Sequence, residues 1–328
     1  MTNPSPMSQL YDRLQSAGIA KAFARNRLPE WWDDSIASSN AGLQQAQLYF
    51  AKIFNLDFTS LASSETPPRF REVMHKFKMC QNIAETEVTA SAQYATAMAR
   101  LALQATSQPY VPPPEHPQSL REEILSTTSC VDLPALLAWC KTSGIPVLHI
   151  EKMPGKKMTA LAIRLNGRYA VVLSRKGHPS ELLFHLAHEL GHIANGHLST
   201  DGFLADQKIG AGDRDDAEEN EADAYAIRLL NGAAVRYGTN GRSVNAMQLY
   251  QAAQATAQSE QVDVGHIILN YGHTQKNFPL AKAALKLIKT PCDGNEMVNR
   301  NLFESLNSEQ LSEDQLSLLH IATAYQRA

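Results

Sequence analysis

Apolar residues recur at helical spacing through most of this chain, and alternate at strand spacing only in a short central part. Leu10, Leu14, Ile19, Ala22 and Phe23 are spaced for a first helix, and Leu28-Pro29-Glu30-Trp31-Trp32-Asp33-Asp34 opens another with proline in its first turn. Leu43, Ala46, Phe50, Ile53 and Phe54 mark a third, over Gly42–Phe54. Trp31 and Trp32 are expected in the core of this bundle rather than at its surface. Ser63 to Pro68 reads as a linker, and Ile83–Thr106 as a long alanine-rich helix. Gln108 to Pro117 is proline-rich and should be an extended spacer, which puts a boundary at residues 107–118.

Beyond that boundary the pattern changes. Ser119–Leu125 and Leu133–Thr142 read as helices, the second with Asp132 as N-cap, Pro134 in the first turn and Gly144 past the end. Ile145–Ile150, Leu161–Leu165 and Tyr169–Leu173 read as strands, and Asn166-Gly167-Arg168 is a strong hairpin signal. Pro179 with Ser180 as N-cap opens a helix whose apolar face is Leu182, Leu183, Leu186, Leu190 and Ile193. Ser199–Gly212 reads as a loop. Further helices are expected at Ser243–Gln258, Val262–Tyr271, Leu280–Ile288, Met297–Leu306 and Glu313–Tyr325. The fold class is therefore α+β and mostly helical. It comprises an N-terminal helical bundle (1–106), a domain with a small antiparallel sheet (119–235) and a helical C-terminal lobe (236–328).

Composition narrows the function. A hydrophobic share of 44% with 19% charged residues is that of an ordinary globular protein. No apolar run approaches the length of a membrane span and no signal peptide is visible, so a cytoplasmic, membrane-free protein is expected. Cys80, Cys130, Cys140 and Cys292 are scattered and read as reduced thiols. The net charge of −3 gives no reason to expect nucleic-acid binding. Residues 1–80 hold nine Lys/Arg against seven Asp/Glu, too even for a phosphate-binding face, so direct DNA binding lacks support from charge. Arg69-Phe70-Arg71 with Lys76, Phe77 and Lys78 reads as a solvated amphipathic helix; contact with nucleic acid or an acidic partner is the other reading.

The chemistry lies in Phe184-His185-Leu186-Ala187-His188-Glu189-Leu190-Gly191-His192. Its H-E-x-x-H puts His188 and His192 on one helix face, the arrangement that holds a single Zn²⁺, with Glu189 beside them as general base towards water. His185, one turn earlier, reads as packing. A third ligand is required. A third histidine at position 198 is excluded, because 198 is Leu and His197 sits one place off. The stretch Glu218-Glu219-Asn220-Glu221-Ala222-Asp223-Ala224-Tyr225-Ala226 supplies one instead: Glu219 as ligand, with Glu218 and Glu221 as competing candidates, and Asp223 one turn on to orient a ligand histidine. An acidic helix start explains Asp213, Asp215, Asp216 and Glu218 without a metal, but not the apolar half that follows.

The hairpin, the H-E-x-x-H helix and the E-x-E-A-D-A-Y-A helix, in that order over residues 145–235, resemble the ImmA/IrrE family of metallopeptidases. The resemblance implies a compact gluzincin-like, zincin-type domain and Zn²⁺ on His188, His192 and Glu219. It also implies Glu189 as catalytic base and a regulatory, repressor-type protein as substrate. Where that family often has Asn, this chain has Asp223. In the C-terminal lobe, Tyr271 and His273 are candidate oxyanion stabilisers, against the plainer reading of a turn after a helix. Two functions follow: a zinc endopeptidase of narrow specificity, or a zinc-stabilised regulatory module that senses a signal or sequesters a transcription factor with little proteolysis.

Overall fold

The structure, a computed structural model, describes residues 5–71, 74–77, 85–155, 158–206, 217–238 and 242–325. Lys78, Cys80, the expected helix start at Ile83, residues 207–212 of the expected loop, and Asp213, Asp215 and Asp216 lie outside these residues.

Local signals set most helix ends. Helix α1 (Pro6–Ser16) starts where the Ser5 side chain accepts from Ser8 N–H, and it buries Met7, Leu10, Tyr11 and Leu14 along one stripe. Next come α2 (Lys21–Arg25), α3 (Asn40–Ile53) and α4 (Phe58–Ala62). The helix expected from Leu28 is instead a turn followed by a short 3-10 segment at Asp34–Ser38. That turn leaves Trp31 55% exposed, with only its neighbour Trp32 packed against the core; the expectation of a buried Trp31 is corrected. Strand β1 (Met74–Phe77) occupies part of the basic-aromatic stretch, so pairing across a sheet overrides the helix expected there. Then follow α5 (Glu85–Gln104), α6 (Pro117–Leu125) and α7 (Leu133–Thr142), the last capped by Asp132 Oδ1 on Ala135 N–H at 2.9 Å.

The central part carries β2 (Val147–His149), β3 (Ala160–Leu165), β4 (Arg168–Leu173), α8 (Pro179–Ala194), β5 (Gly202–Asp206) and α9 (Ala217–Asn231). The chain ends with α10 (Ala246–Glu260), α11 (Val264–Thr274), α12 (Phe278–Leu285), α13 (Gly294–Ser305) and α14 (Glu313–Thr323). No helix among the described residues is long and apolar enough to cross a membrane. Cys130, Cys140 and Cys292 are free thiols.

The sheet runs β1-β5-β3-β4-β2. It is mixed, not antiparallel as expected. Strand β3 pairs antiparallel with its neighbours β4 and β5, while β2 joins β4 and β1 joins β5 in parallel. Strand β5 falls in the expected loop, where Phe203 and Leu204 give the segment enough apolar surface to be buried. The β3–β4 hairpin turns through Asn166 (φ 52) and Gly167 (φ 73), the left-handed pair that such tight turns require.

Side-chain alternation splits the core into two layers. Leu161, Ile163, Ala170, Val172 and Phe203 face the N-terminal helices, and Ala160, Ala162, Tyr169, Val171 and Leu173 face α7, α8 and α9. The N-terminal helices thus share a core with one face of the sheet. Residues 107–118 are tied down along the surface. Arg168 donates to Leu103 O, Thr106 O and Gln108 O, Val111 N–H to Ser143 O, and Tyr225 to Pro114 O. A third cluster, from α10, α11 and α12, forms the C-terminal lobe. It is joined to the rest by the buried Arg121, which donates to Leu229 O and Leu230 O at the end of α9 and to Glu260 O and Gln261 O at the end of α10.

Candidate metal centre

The N-cap of α8 is His178, not Ser180. The His178 ring accepts from Ser180 N–H while Glu181 reaches back to His178 N–H, and Pro179 fills the first helical position. From that start, helical spacing places His188 and His192 one turn apart, both buried, with their Nε2 atoms 3.0 Å from each other. Glu219 enters from the first turn of α9, its Oε2 3.3 Å from His188 Nε2 and its Oε1 3.3 Å from His192 Nε2. The three side chains offer ligand atoms that all lie within 4.8 Å of one another. Of the competing carboxylates, Glu221 is engaged by His197, and Glu218 is not part of the group.

The two helices can approach because the crossing is built of small residues. A Cβ added to Gly191 would lie 3.0 Å from Ala222 Cα, Ala222 O and Tyr225 Cβ. Gly191 from one motif and Ala222 from the other therefore set the distance at which Glu219 reaches the histidines.

Asp223 lies one turn after Glu219, and its Oδ1 is 2.9 Å from His188 Nδ1. A carboxylate there takes the Nδ1–H, so the neutral His188 ring presents a bare lone pair at Nε2. That lone pair faces a Glu219 oxygen, itself an acceptor, at 3.3 Å. A cation between two buried acceptors turned on each other relieves their repulsion, so the donor set fits a divalent metal. Burial lowers the His192 pKa below the ordinary histidine value, opposed by the neighbouring Glu219 carboxylate, and favours the neutral ring that a metal needs.

Glu189, the predicted base, follows His188 on the same helix and is fully buried. Phe184 leans on His188 at 6.4 Å between ring centroids, and His185 packs edge-on against Phe184. Tyr271 is buried in the core of the C-terminal lobe, and His273 is exposed beside Phe278. Helix α11 meets α8 through its first turn instead, where Gly265 abuts Ser180 and His266 stacks on Phe184 at 6.3 Å. Sequence reasoning missed His266, and it passed over His197 as a ligand that failed to fit. Only the Asp263-x-x-His266 cap spacing marks the start of α11, and nothing in it points at α8. No protein family, curated protein or solved structure matches this chain.

Proposed function

We propose that the chain is a zinc-dependent endopeptidase of narrow specificity whose substrate is a regulatory, repressor-type protein. The observation that carries this reading is the convergence of His188 Nε2, His192 Nε2 and the Glu219 carboxylate at 3.0–3.3 Å, with Glu189 buried in the same helix. Two neutral imidazoles and one carboxylate are the donor set of a catalytic rather than a structural zinc, since they leave a coordination position open. The resemblance of both motifs to ImmA/IrrE peptidases supports the substrate class.

When bound, Zn²⁺ supplies Lewis acidity towards the scissile carbonyl and makes water a nucleophile near neutral pH. Glu189 takes the proton of the attacking water as its oxygen bonds to the carbonyl carbon. When the C–N bond breaks, the same carboxyl returns that proton to the amine. His188 and His192 stay neutral throughout, the first held by Asp223.

The test is Glu189→Gln in the full chain, with metal content and new protein N-termini in a cell extract measured together. The variant should keep about one zinc per chain while cleavage falls by about 10²–10⁴-fold. Cleavage at the wild-type rate, or wild-type protein purified without metal, overturns the reading.

A further inference from the structure

Behind His192, on the side away from Glu219, stands a second imidazole. His192 Nδ1 is 2.8 Å from His197 Nδ1, and His197 Nε2 is 3.0 Å from Glu221 Oε2. The two rings meet edge to face, with centroids 5.0 Å apart and planes at 66°. Both histidines are buried, whereas the Glu221 side chain is 60% exposed. The turn that ends α8 builds this contact. Gly196 adopts φ 69, a left-handed conformation, and His197 N–H donates to His192 O, which folds the ring of residue 197 back beneath that of residue 192.

The protons along this line follow by elimination. A carboxylate only accepts, so Glu221 takes a proton from His197 Nε2–H. With both rings neutral, the state in which an imidazole can bind a metal, His197 carries one ring proton, so its Nδ1 is then a lone pair. The atom opposite it, His192 Nδ1, has to be an N–H. His192 Nε2 is left bare, pointing at His188 Nε2 and Glu219. The reverse assignment would set a lone pair of His197 against the Glu221 carboxylate at 3.0 Å and put a proton where the metal is to bind.

We infer that His197 and Glu221 are a positioning pair: Glu221, acting through His197, fixes the tautomer and ring angle of His192 and thereby presents its Nε2 lone pair to the metal. The inference rests on the proposed metal centre for its consequence, but the tautomer exists without metal. It also gives the acidic motif a fuller meaning. One helix supplies a ligand (Glu219), a carboxylate that orients His188 directly (Asp223), and a carboxylate that orients His192 one ring removed (Glu221).

Two measurements on the full chain test this. In metal-free protein with ¹⁵N-labelled histidine at pH 8, rings assigned through His192→Asn and His197→Asn, His192 should carry its proton on Nδ1 and His197 on Nε2. In Glu221→Ala the His192 proton should shift towards Nε2. Zinc affinity, read by competition with a chelator, should drop by about 10–100-fold in Glu221→Ala and His197→Phe. It should be largely retained in Glu221→Gln, whose amide oxygen still accepts the bond, and unchanged in the surface control Glu123→Ala. Glu221 is exposed, so its variants should melt like the wild type, which separates positioning from folding. A wild-type His192 protonated on Nε2, or an unmoved tautomer together with unmoved zinc affinity in Glu221→Ala, overturns the inference. Should the wild type bind no zinc, the metal centre falls, while the tautomer measurement still decides the relay.

Discussion

Gly191 and Ala222 touch so closely that a Cβ on the glycine would stand 3.0 Å from the alanine Cα. The atoms it would meet are backbone as well as the Cβ of Tyr225, so the helices have to move apart to admit it. Gly191→Val adds a branched side chain at that point. The overpacking is expected to cost about 1–3 kcal/mol of stability, offset only in part by the better helix propensity of valine over glycine. Separation of α8 from α9 also withdraws Glu219 from the histidines, so zinc affinity should fall along with the urea midpoint. A variant that keeps wild-type zinc affinity would show that the crossing distance does not set the ligand geometry.

Asp223 Oδ1 holds His188 Nδ1 at 2.9 Å from a largely exposed side chain. Asp223→Ala removes the acceptor and frees His188 to put its proton on Nε2, where it opposes a metal. Zinc affinity should decrease by about 10–100-fold with little change in melting temperature measured without metal. Asp223→Asn, whose amide oxygen accepts the same bond, should lie near the wild type. Equal affinities for all three proteins in chelator competition would remove Asp223 from the site.

How far this centre can be read from the chain depends on how local each signal is. His188 and His192 are legible because four residues is one helical turn, and Glu219 because a carboxylate followed by an apolar helical face has a reason to point inward. The β3–β4 hairpin is legible through Asn166 and Gly167, whose left-handed conformations few other residues adopt. Sheet order is not legible in the same way. Met74 pairs with Gly202 and Val147 with Val171, and alternation says which face a residue takes but not which strand lies beside it or in which direction. Trp31 and Trp32 are equally apolar in sequence, and only the turn decides which one the core receives. Tyr271 is polar enough to suggest chemistry, yet its helical spacing with Ile267 and Ile268 takes it into the lobe's core. His197 escapes ligand arithmetic because it acts through another ring, and its approach depends on the left-handed Gly196 after the helix end.

His266 gives the contact between α8 and α11 a dependence on pH. The ring is 3% exposed, stacks on Phe184, and neither of its nitrogens has a hydrogen-bond partner among the described residues. Burial drives its pKa down to about 4, with Asp263 opposing the shift and Arg121 adding to it. The folded protein therefore binds this proton less readily than the unfolded chain, whose histidine titrates near ~6.5. Stability from keeping the ring neutral is complete above about pH 6.5 and is lost as the pH falls towards 4. Between pH 7.5 and 4.5 the loss from this one group should be about 2 kcal/mol. His178 and His192 are depressed in the same direction, so the wild type alone cannot isolate the term. His266→Phe keeps an aromatic ring against Phe184 and removes the titration. Urea unfolding of metal-free wild type and variant at the two pH values should therefore show the variant losing about 2 kcal/mol less. Parallel losses in the two proteins would mean that His266 does not govern the acid sensitivity of this contact.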